Sequence, residues 1–287
     1  MAELRSSACV LAVVVLLSLN SVRAQQTYPP FTTVVQTSYY DAKGEVLSHN
    51  TSTRYDSASG DWRSVGSFAG YESATIYRRG NGVYRSESRT GRLLKVSDHA
   101  PGCPFTTAEE LLRDSRFKRT EIVLGLKAYV LGEQFPAQYR METYFVPELG
   151  RIPFKRVYFF DDGRKWVEEP ISIQLGEPAA ADVSGPAYPV IEQCPIFNDK
   201  LSNQILSKAE PIYPPAAQAR GISGVVVVQV IVDESGRVVS AGATSPIPLL
   251  TEAAIDAAYQ TWFSPTIKLG RPVVASGILR FRFAPPQ

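Results

Sequence analysis

The chain has 287 residues, a formal net charge of +2 and an apolar fraction of 44%. This length suggests one or two domains, and the apolar fraction is that of a globular protein that can build a core. Because the lysines and arginines are scattered and no nucleic-acid-binding motif occurs, nothing predicts nucleic acid as a partner.

Residues 1–24 are typical of a cleavable secretory signal peptide. Arg5 supplies the positive start, Cys9–Leu19 form an apolar run, and Ser21-Val22-Arg23-Ala24 offers small residues at the −3-like and −1 positions. The run is shorter than the ~20 apolar residues that a membrane-spanning helix needs. We therefore expect export with cleavage after Ala24, and an uncleaved inner-membrane anchor is the alternative.

Residues 25–177 are predicted to form an antiparallel β-rich domain, because short β-prone segments alternate with turn signals such as Asn81-Gly82. One helix is expected to begin at Thr106 or Thr107, with Leu111, Leu112 and Phe117 on its apolar side. Such a run of strands with one helix predicts a curved, half-barrel-like sheet. The predicted strands are Thr32–Tyr40, Glu45–Tyr55, Trp62–Phe68, Ser73–Arg78, Val83–Ser88, Leu93–Val96, Thr120–Leu124, Leu126–Leu131, Arg140–Val146, Phe154–Phe160 and Lys165–Gln174.

Residues 178–207 have the composition of a linker, with a short amphipathic helix predicted over Ile196–Leu206. Two cysteines remain after cleavage, Cys103 and Cys194. In an oxidising compartment such a pair can form a disulfide. Two separate buried thiols are the alternative.

Residues 208–287 predict a second domain in the order helix, strand, strand, helix, strand, so the fold class is α+β overall. A β-branched run over Val225–Val232 favours a strand, and Gly236 supplies the positive φ of a short hairpin. The second strand is predicted over Arg237–Thr244, the Ala-rich helix over Leu249–Phe263 and the last strand over Val274–Phe283.

This C-terminal stretch resembles the C-terminal domain of TonB-type energy transducers, and the order and spacing of several short pieces carry the resemblance. The matching pieces are Tyr213-Pro214, Gly221 to Gly224, Val228 to Asp233 with Gly236, the Ala-rich helix, Phe263-Ser264-Pro265, Gly270-Arg271-Pro272-Val273 and Phe281-Arg282-Phe283. The resemblance implies a periplasmic three-stranded antiparallel sheet backed by two helices. It also implies that the last strand is a sheet edge that captures an extended peptide from an outer-membrane receptor.

The candidate binding edge therefore consists of the last strand, whose unpaired backbone groups are a template for one more strand. Its residues are Ser276, Gly277, Ile278, Leu279, Arg280, Phe281, Arg282 and Phe283. The alternative is a core strand whose edge another part of the chain covers.

Both faces of the Val225–Val232 strand are apolar. A sheet with helices on one side only should show water-facing residues on the other. The face with Val225, Val227 and Ile231 is therefore predicted to be an interface. The middle domain, a second copy of the chain and differently placed helices are the three candidates for what covers it.

A second resemblance concerns Tyr144-Phe145-Val146-Pro147-Glu148-Leu149-Gly150, followed by a basic strand. It is similar to periplasmic lipoprotein-carrier and lipoprotein-sorting domains. This implies a concave face lined by Tyr and Phe that shelters an acyl chain. An ordinary filled core is the alternative.

No catalytic residue, metal site or cofactor is predicted. The chain has two histidines, His49 and His99, neither with a metal-ligand spacing to another Cys, His or acid. Nucleophile elbow, phosphate-binding and dinucleotide-binding motifs are missing from the sequence. The adjacent acids Asp161-Asp162 and Glu168-Glu169 would point to opposite faces of a strand.

The leading functional hypothesis is a periplasmic protein that binds a partner peptide by strand addition and supports TonB-dependent outer-membrane transport. A periplasmic lipid or lipoprotein carrier with a TonB-like docking domain is the first alternative. A membrane-anchored energy transducer is the second, although the family's long Pro-rich spacer has no counterpart here. Expected partners are an outer-membrane receptor or another envelope protein, and lipid on the carrier hypothesis.

Overall fold

The computed structural model describes residues 29–68, 71–97, 107–135, 139–150, 153–192, 194–245, 247 and 249–284. Within these ranges the chain forms a sheet of twelve strands, a sheet of four strands and two small two-stranded ladders. The predicted signal peptide, His99 and Cys103 lie outside the described residues. In the described part, no helix has both the length and the apolar character needed to cross a membrane.

The larger sheet consists of two antiparallel meanders joined where its first and last long strands pair. Its long strands are β1 (Phe31–Tyr40), β2 (Val46–Asp56), β3 (Trp62–Phe68), β4 (Tyr71–Arg78), β5 (Gly82–Glu87), β6 (Arg92–Ser97), β7 (Phe117–Val123), β8 (Leu126–Phe135), β9 (Tyr139–Phe145), β10 (Lys155–Phe160) and β11 (Lys165–Leu175). Strands β1 to β6 form one meander and β7 to β11 the other, and β1 pairs with β11 over its whole length. The strands predicted over residues 25–177 are confirmed with shifted ends, and twist accumulated over so many strands curves the sheet.

The helix α1 (Ala108–Arg113) begins at a complete capping box, in which Thr107 and Glu110 bond each other's backbone amides. Leu111 is buried and packs on β8 and β9. The prediction that Leu112 and Phe117 share this apolar side is wrong. Leu112 is exposed, and Phe117 lies on β7 because the helix ends at Arg113.

The C-terminal sheet contains the predicted three antiparallel strands and one short parallel addition. Its strands are β13 (Ile196–Phe197), β15 (Gly224–Val232), β16 (Val238–Ser245) and β20 (Ala275–Phe283). Their order is β13-β20-β15-β16, where β15 is the central strand of the antiparallel three. The other strands are β12 (Val190–Ile191), β14 (Ile205–Ser207), β17 (Trp262–Phe263), β18 (Thr266–Lys268) and β19 (Arg271–Val273), and the other helices are α2 (Ala180–Ser184), α3 (Pro215–Ala219) and α4 (Thr251–Tyr259).

The Ala-rich helix is shorter than predicted. It runs over Thr251–Tyr259 and ends before Thr261, whose hydroxyl donates back to the carbonyl of Ala257 at 2.9 Å. The next two residues form β17, which pairs with β14. The predicted end at Phe263 is therefore wrong, because pairing with a distant strand overrides the local helical pattern.

The segment predicted as a linker is built into both sheets. Strand β12 pairs in parallel with β6 of the larger sheet, and β13 pairs in parallel with β20 of the smaller one. The helix predicted over Ile196–Leu206 is wrong. A 3₁₀ turn over Leu201–Gln204 lies between β13 and β14 instead.

The apolar second face of β15 meets the larger sheet, as one of the three candidates predicted. Ile231 and Val239 are buried in a cluster with Leu94 of β6. The hydroxyl of Thr90 also donates to the carbonyl of Val239 at 3.1 Å. Val225, on the same face, remains 38% exposed, so only one end of this face is covered.

Candidate functional site

The last strand, β20, has one edge fully paired and the other only partly paired. Its inner edge pairs with β15 along the whole strand, from the pair Gly224 and Phe283 to the pair Val232 and Ala275. On its outer edge β13 pairs with Ala275 and Ser276, and the amide of Asn198 donates to the carbonyl of Ser276 at 2.8 Å. No strand among the described residues pairs with this outer edge beyond Ser276.

Backbone groups of successive residues in a strand point to opposite edges. Because the carbonyl of Ser276 faces outward to β13, those of Ile278, Arg280 and Arg282 face the same way. The open part of the edge therefore starts at Ile278. At Gly277 a Cβ would lie 2.6 Å from Leu201 Cδ2, which shows how closely the 3₁₀ turn covers the strand before this point.

The side chains of the open part alternate between core and solvent, as the sequence pattern predicted. Leu279, Phe281 and Phe283 are buried in the main C-terminal core, and Arg280 and Arg282 are exposed. The buried side chains anchor the strand in the core, and its outward backbone groups from Ile278 onward have no strand partner in the described residues. An anchored strand with an unpaired edge is the structure that strand addition requires.

One side chain lies over this open edge. The Nζ of Lys208 donates to the carbonyl of Arg280 at 3.4 Å and lies 5.1 Å from the ring centre of Phe281. A lysine at a sheet edge opposes uncontrolled pairing. The contact is exposed and long, so a guest strand can displace it.

The open edge is positively charged. None of the ion pairs found in the described part of the chain includes Lys208, Arg280 or Arg282. Three cationic groups therefore lie along about six residues of open strand without an acidic counterpart there.

The residues of the TonB-like sequence pieces shape the domain. The hydroxyl of Tyr213 donates to the carbonyl of Ile222 at 2.7 Å, and its ring packs 5.9 Å from that of Phe283. Asp233 accepts the amides of Ser235 and Arg237. The remaining pieces lie at turns, strand starts or the core: Pro214 before α3, Gly221 and Gly224 around the α3–β15 connection, Gly236 in the β15–β16 turn, Phe263 on β17, Pro265 after it, Gly270 before β19 and Pro272 within it.

Cys194 is half-buried and forms no disulfide with any described residue. Since Cys103 lies outside the described residues, the disulfide between them stays a prediction. His49 is exposed on β2, and the described residues contain no group of three or more metal-ligating side chains.

A second feature, which the sequence did not reveal, is a cavity between the larger sheet and the C-terminal domain. Its volume is about 280 Å³. Buried Glu87 of β5 lies beside it and accepts a hydrogen bond from Ser240 Oγ of β16 at 2.8 Å. Burial raises the pKa of Glu87, whereas Arg85 and hydrogen bonds from Ser240, Ser73 and Tyr259 oppose that rise. Burial and then the charge of Glu87 raise the pKa of Tyr259.

Glu87 is expected to make stability depend on pH. Its raised pKa means that the folded protein holds this proton more tightly than the unfolded chain. The contribution of this proton to the stability of the fold is therefore complete below the pKa of 4.5 that Glu87 has in the unfolded chain. It is lost as pH rises through the pKa of Glu87 in the folded protein. Glu87→Gln removes this dependence, so the stability of the wild type relative to the variant should fall as pH rises from 4.5 through the folded pKa of Glu87.

Urea unfolding of both proteins between pH 4.5 and 8 measures this difference. The control is Glu45→Gln, since Glu45 is exposed. A constant difference between the wild type and Glu87→Gln over that range would contradict the assignment.

Comparison with known proteins gives one family match. Residues 209–285 match the family described as the Gram-negative bacterial TonB protein C-terminal. The match confirms the resemblance of the C-terminal pieces and indicates an envelope protein with a TonB-like region. No curated protein sequence matches the chain.

Several solved structures show a distant likeness. An uncharacterized conserved protein from Thermus thermophilus is 13% identical, with 62% of this chain and 98% of that chain covered and a TM-score of 0.39. The MucA/MucB complex of Pseudomonas aeruginosa is 14% identical, with 92% of each chain covered and a TM-score of 0.38. A putative outer membrane lipoprotein-sorting protein domain from Vibrio parahaemolyticus is 10% identical, with 58% of this chain and 95% of that chain covered and a TM-score of 0.19. The last is of the class that the second sequence resemblance named.

Proposed function

We propose that the C-terminal domain captures an extended segment of another cell-envelope protein by adding it as a strand to β20, in support of TonB-dependent outer-membrane transport. The open edge from Ile278 to Phe283 carries this proposal, because its outward backbone groups have no strand partner in the described residues. The family match over residues 209–285 supports it. Main-chain hydrogen bonds would supply the affinity, and side-chain contacts the selectivity.

The charges of the edge favour an acidic guest. Arg280 and Arg282 are two residues apart, so both project from the same face of the sheet. Alternate residues of an added strand would lie beside them on that face, where opposite charges stabilise a cross-strand pair and like charges destabilise it. We infer a guest that carries Asp or Glu at alternate positions.

Site-specific photocrosslinking in cells tests the proposal. With a photoreactive residue in place of Arg282, we expect adducts whose mass spectra identify an extended segment of an envelope protein. The control places the same residue at Leu269, which is 96% exposed but lies between β18 and β19, away from the edge. The same adducts at both positions, or none at Arg282, would refute the proposal.

Reversal of the edge charges is expected to weaken capture. Arg280→Glu with Arg282→Glu should lower the yield of adducts from a photoreactive residue at Ile278 at least tenfold. The matched control is Lys268→Glu with Arg271→Glu, which changes the net charge equally at exposed positions of β18 and β19, outside the last strand. Equal yields from the two double variants would contradict the inference that the edge charges select the guest, but would not contradict strand addition.

Carriage of an acyl lipid is the second candidate function. A continuous row of rings on the larger sheet favours it, with centroid distances of 4.5–5.6 Å between neighbours. The row consists of Tyr39, Trp166, Tyr158, Tyr139 and Phe135. Organic extraction and mass spectrometry of the purified protein would support this function by finding near-stoichiometric lipid and would count against it by finding none.

A further inference from the structure

Small residues line part of the cavity between the two sheets. They are Ala241, Gly242 and Ala243 of β16 and Ser73 of β4. Helix α4 closes one end with Tyr259, and the larger sheet contributes Tyr39 and Trp166. Both domains thus supply walls, and a space of about 280 Å³ remains.

One wall of the cavity is a stack of flat rings. Tyr39 and Trp166 lie 5.4 Å apart with 19° between their planes, and Trp166 stacks in turn on Tyr158 at 4.5 Å. The Nε1 of Trp166 is buried and has no hydrogen-bond partner in the described part of the chain. A buried donor without a partner is costly and calls for an acceptor at that position.

The cavity also contains an arginine whose donors are largely unused. The Nε of Arg85 lies 3.5 Å from Glu87 Oε1. Its two Nη atoms pack against Gly242, where an added Cβ would lie 3.2 and 3.4 Å from them. They donate no hydrogen bond to any described residue.

The neighbouring arginine is already engaged. The guanidinium of Arg89 lies between the rings of Tyr71 and Tyr259, at 4.8 and 4.4 Å, and pairs with Asp256. The charged side chains that line the cavity are Arg85, Arg89 and Glu87; Arg89 is paired with Asp256, and Arg85 approaches Glu87 through its Nε alone. An incoming anion would therefore meet Arg85 as the available partner.

We propose that this cavity binds an aromatic carboxylate of one or two rings. The ring lies on the Tyr39–Trp166 wall, and the carboxylate accepts a bidentate pair of hydrogen bonds from Arg85. The size follows from the volume of about 280 Å³, which lies just below the range of about 300–1,000 Å³ for small-molecule sites. Since the walls come from both domains, the ligand would also hold the domains together.

Calorimetric titration of the full-length protein with 2-naphthoate tests the proposal, with neutral 2-naphthalenemethanol as the matched ligand. We expect 2-naphthoate to bind at least tenfold more tightly and to raise the melting temperature. Arg85→Met should lose at least tenfold in affinity for 2-naphthoate. The control variant Arg271→Met, at an exposed arginine of β19 outside the cavity, should bind as the wild type does.

Equal binding of the charged and neutral ligands, or no binding of either at millimolar concentration, would overturn the proposal. So would unchanged affinity in Arg85→Met. If that variant fails to fold, the two ligands on the wild-type protein still decide. Decanoate, a flexible carboxylate without a ring, tests whether the cavity selects a flat ligand. Tighter binding of decanoate than of 2-naphthoate would overturn the assignment of an aromatic ligand.

Discussion

Gly236→Ala is expected to destabilise the C-terminal domain by about 3–4 kcal/mol. Gly236 has a φ of +87°, and a Cβ there would lie 1.9 Å from the carbonyl oxygen of Phe263. The atom in conflict is backbone, and it belongs to a residue held by a 2.9 Å hydrogen bond from its own amide to the carbonyl of Gly236. The turn and β17 would have to separate. Urea unfolding of the full-length protein measures the loss.

Gly270→Ala is the matched control for this prediction. Gly270 has a φ of +75° in the same domain, but no atom lies within 4 Å of an added Cβ. Its cost should be only that of a left-handed alanine, about 1–2 kcal/mol. Similar losses in the two variants would show that backbone conformation, and not the contact with Phe263, makes glycine necessary at position 236.

Arg280→Pro is expected to abolish capture of a guest strand and leave the domain folded. Proline has no amide proton, and the amide of Arg280 faces the open outer edge. One of the main-chain bonds to the guest is lost, and the ring obstructs the approach of the guest strand. The yield of photocrosslinked adducts from a photoreactive residue at Arg282 should fall at least tenfold, while the melting temperature changes little.

Leu279→Pro places proline one residue earlier and is expected to unfold the domain. The amide of Leu279 faces β15, opposite Val228, and its side chain is buried. The domain should lose about 4 kcal/mol or more, through a broken ladder and an emptied core position. If both prolines unfold the domain alike, the outer edge of β20 is not free, and the proposed binding mode fails.

The sequence predicted the long strands because their signals are local. Alternation of apolar and polar residues and turn pairs such as Asn81-Gly82 located each strand of the two meanders. The two- and three-residue strands were not predictable, since β12, β13 and β14 are too short to show a period. Their partners lie far away in sequence, on β6, β20 and β17.

The candidate edge was predictable as a strand but not in its extent. The pattern placed Ser276 to Phe283 on one strand, and the burial confirms the predicted alternation over Ile278 to Phe283. That Ser276 is covered depends on Phe197, some 80 residues earlier. The cavity was beyond prediction for a similar reason, because β5, β11 and α4, which carry Arg85, Trp166 and Tyr259, lie far apart in sequence.

The two residues of β13 also limit the length of the guest segment that can pair with β20. A guest that continued alongside β20 from Ile278 toward Ser276 would clash with Phe197, which already pairs with Ser276. Pairing between the guest and β20 must therefore end there, and the paired part of the guest is limited to about six residues or ~20 Å. On the proposed binding mode, a segment of that length pairs with β20 along its whole length and a longer one leaves the sheet at Ile278, so β13 sets the upper limit on the length of the paired segment.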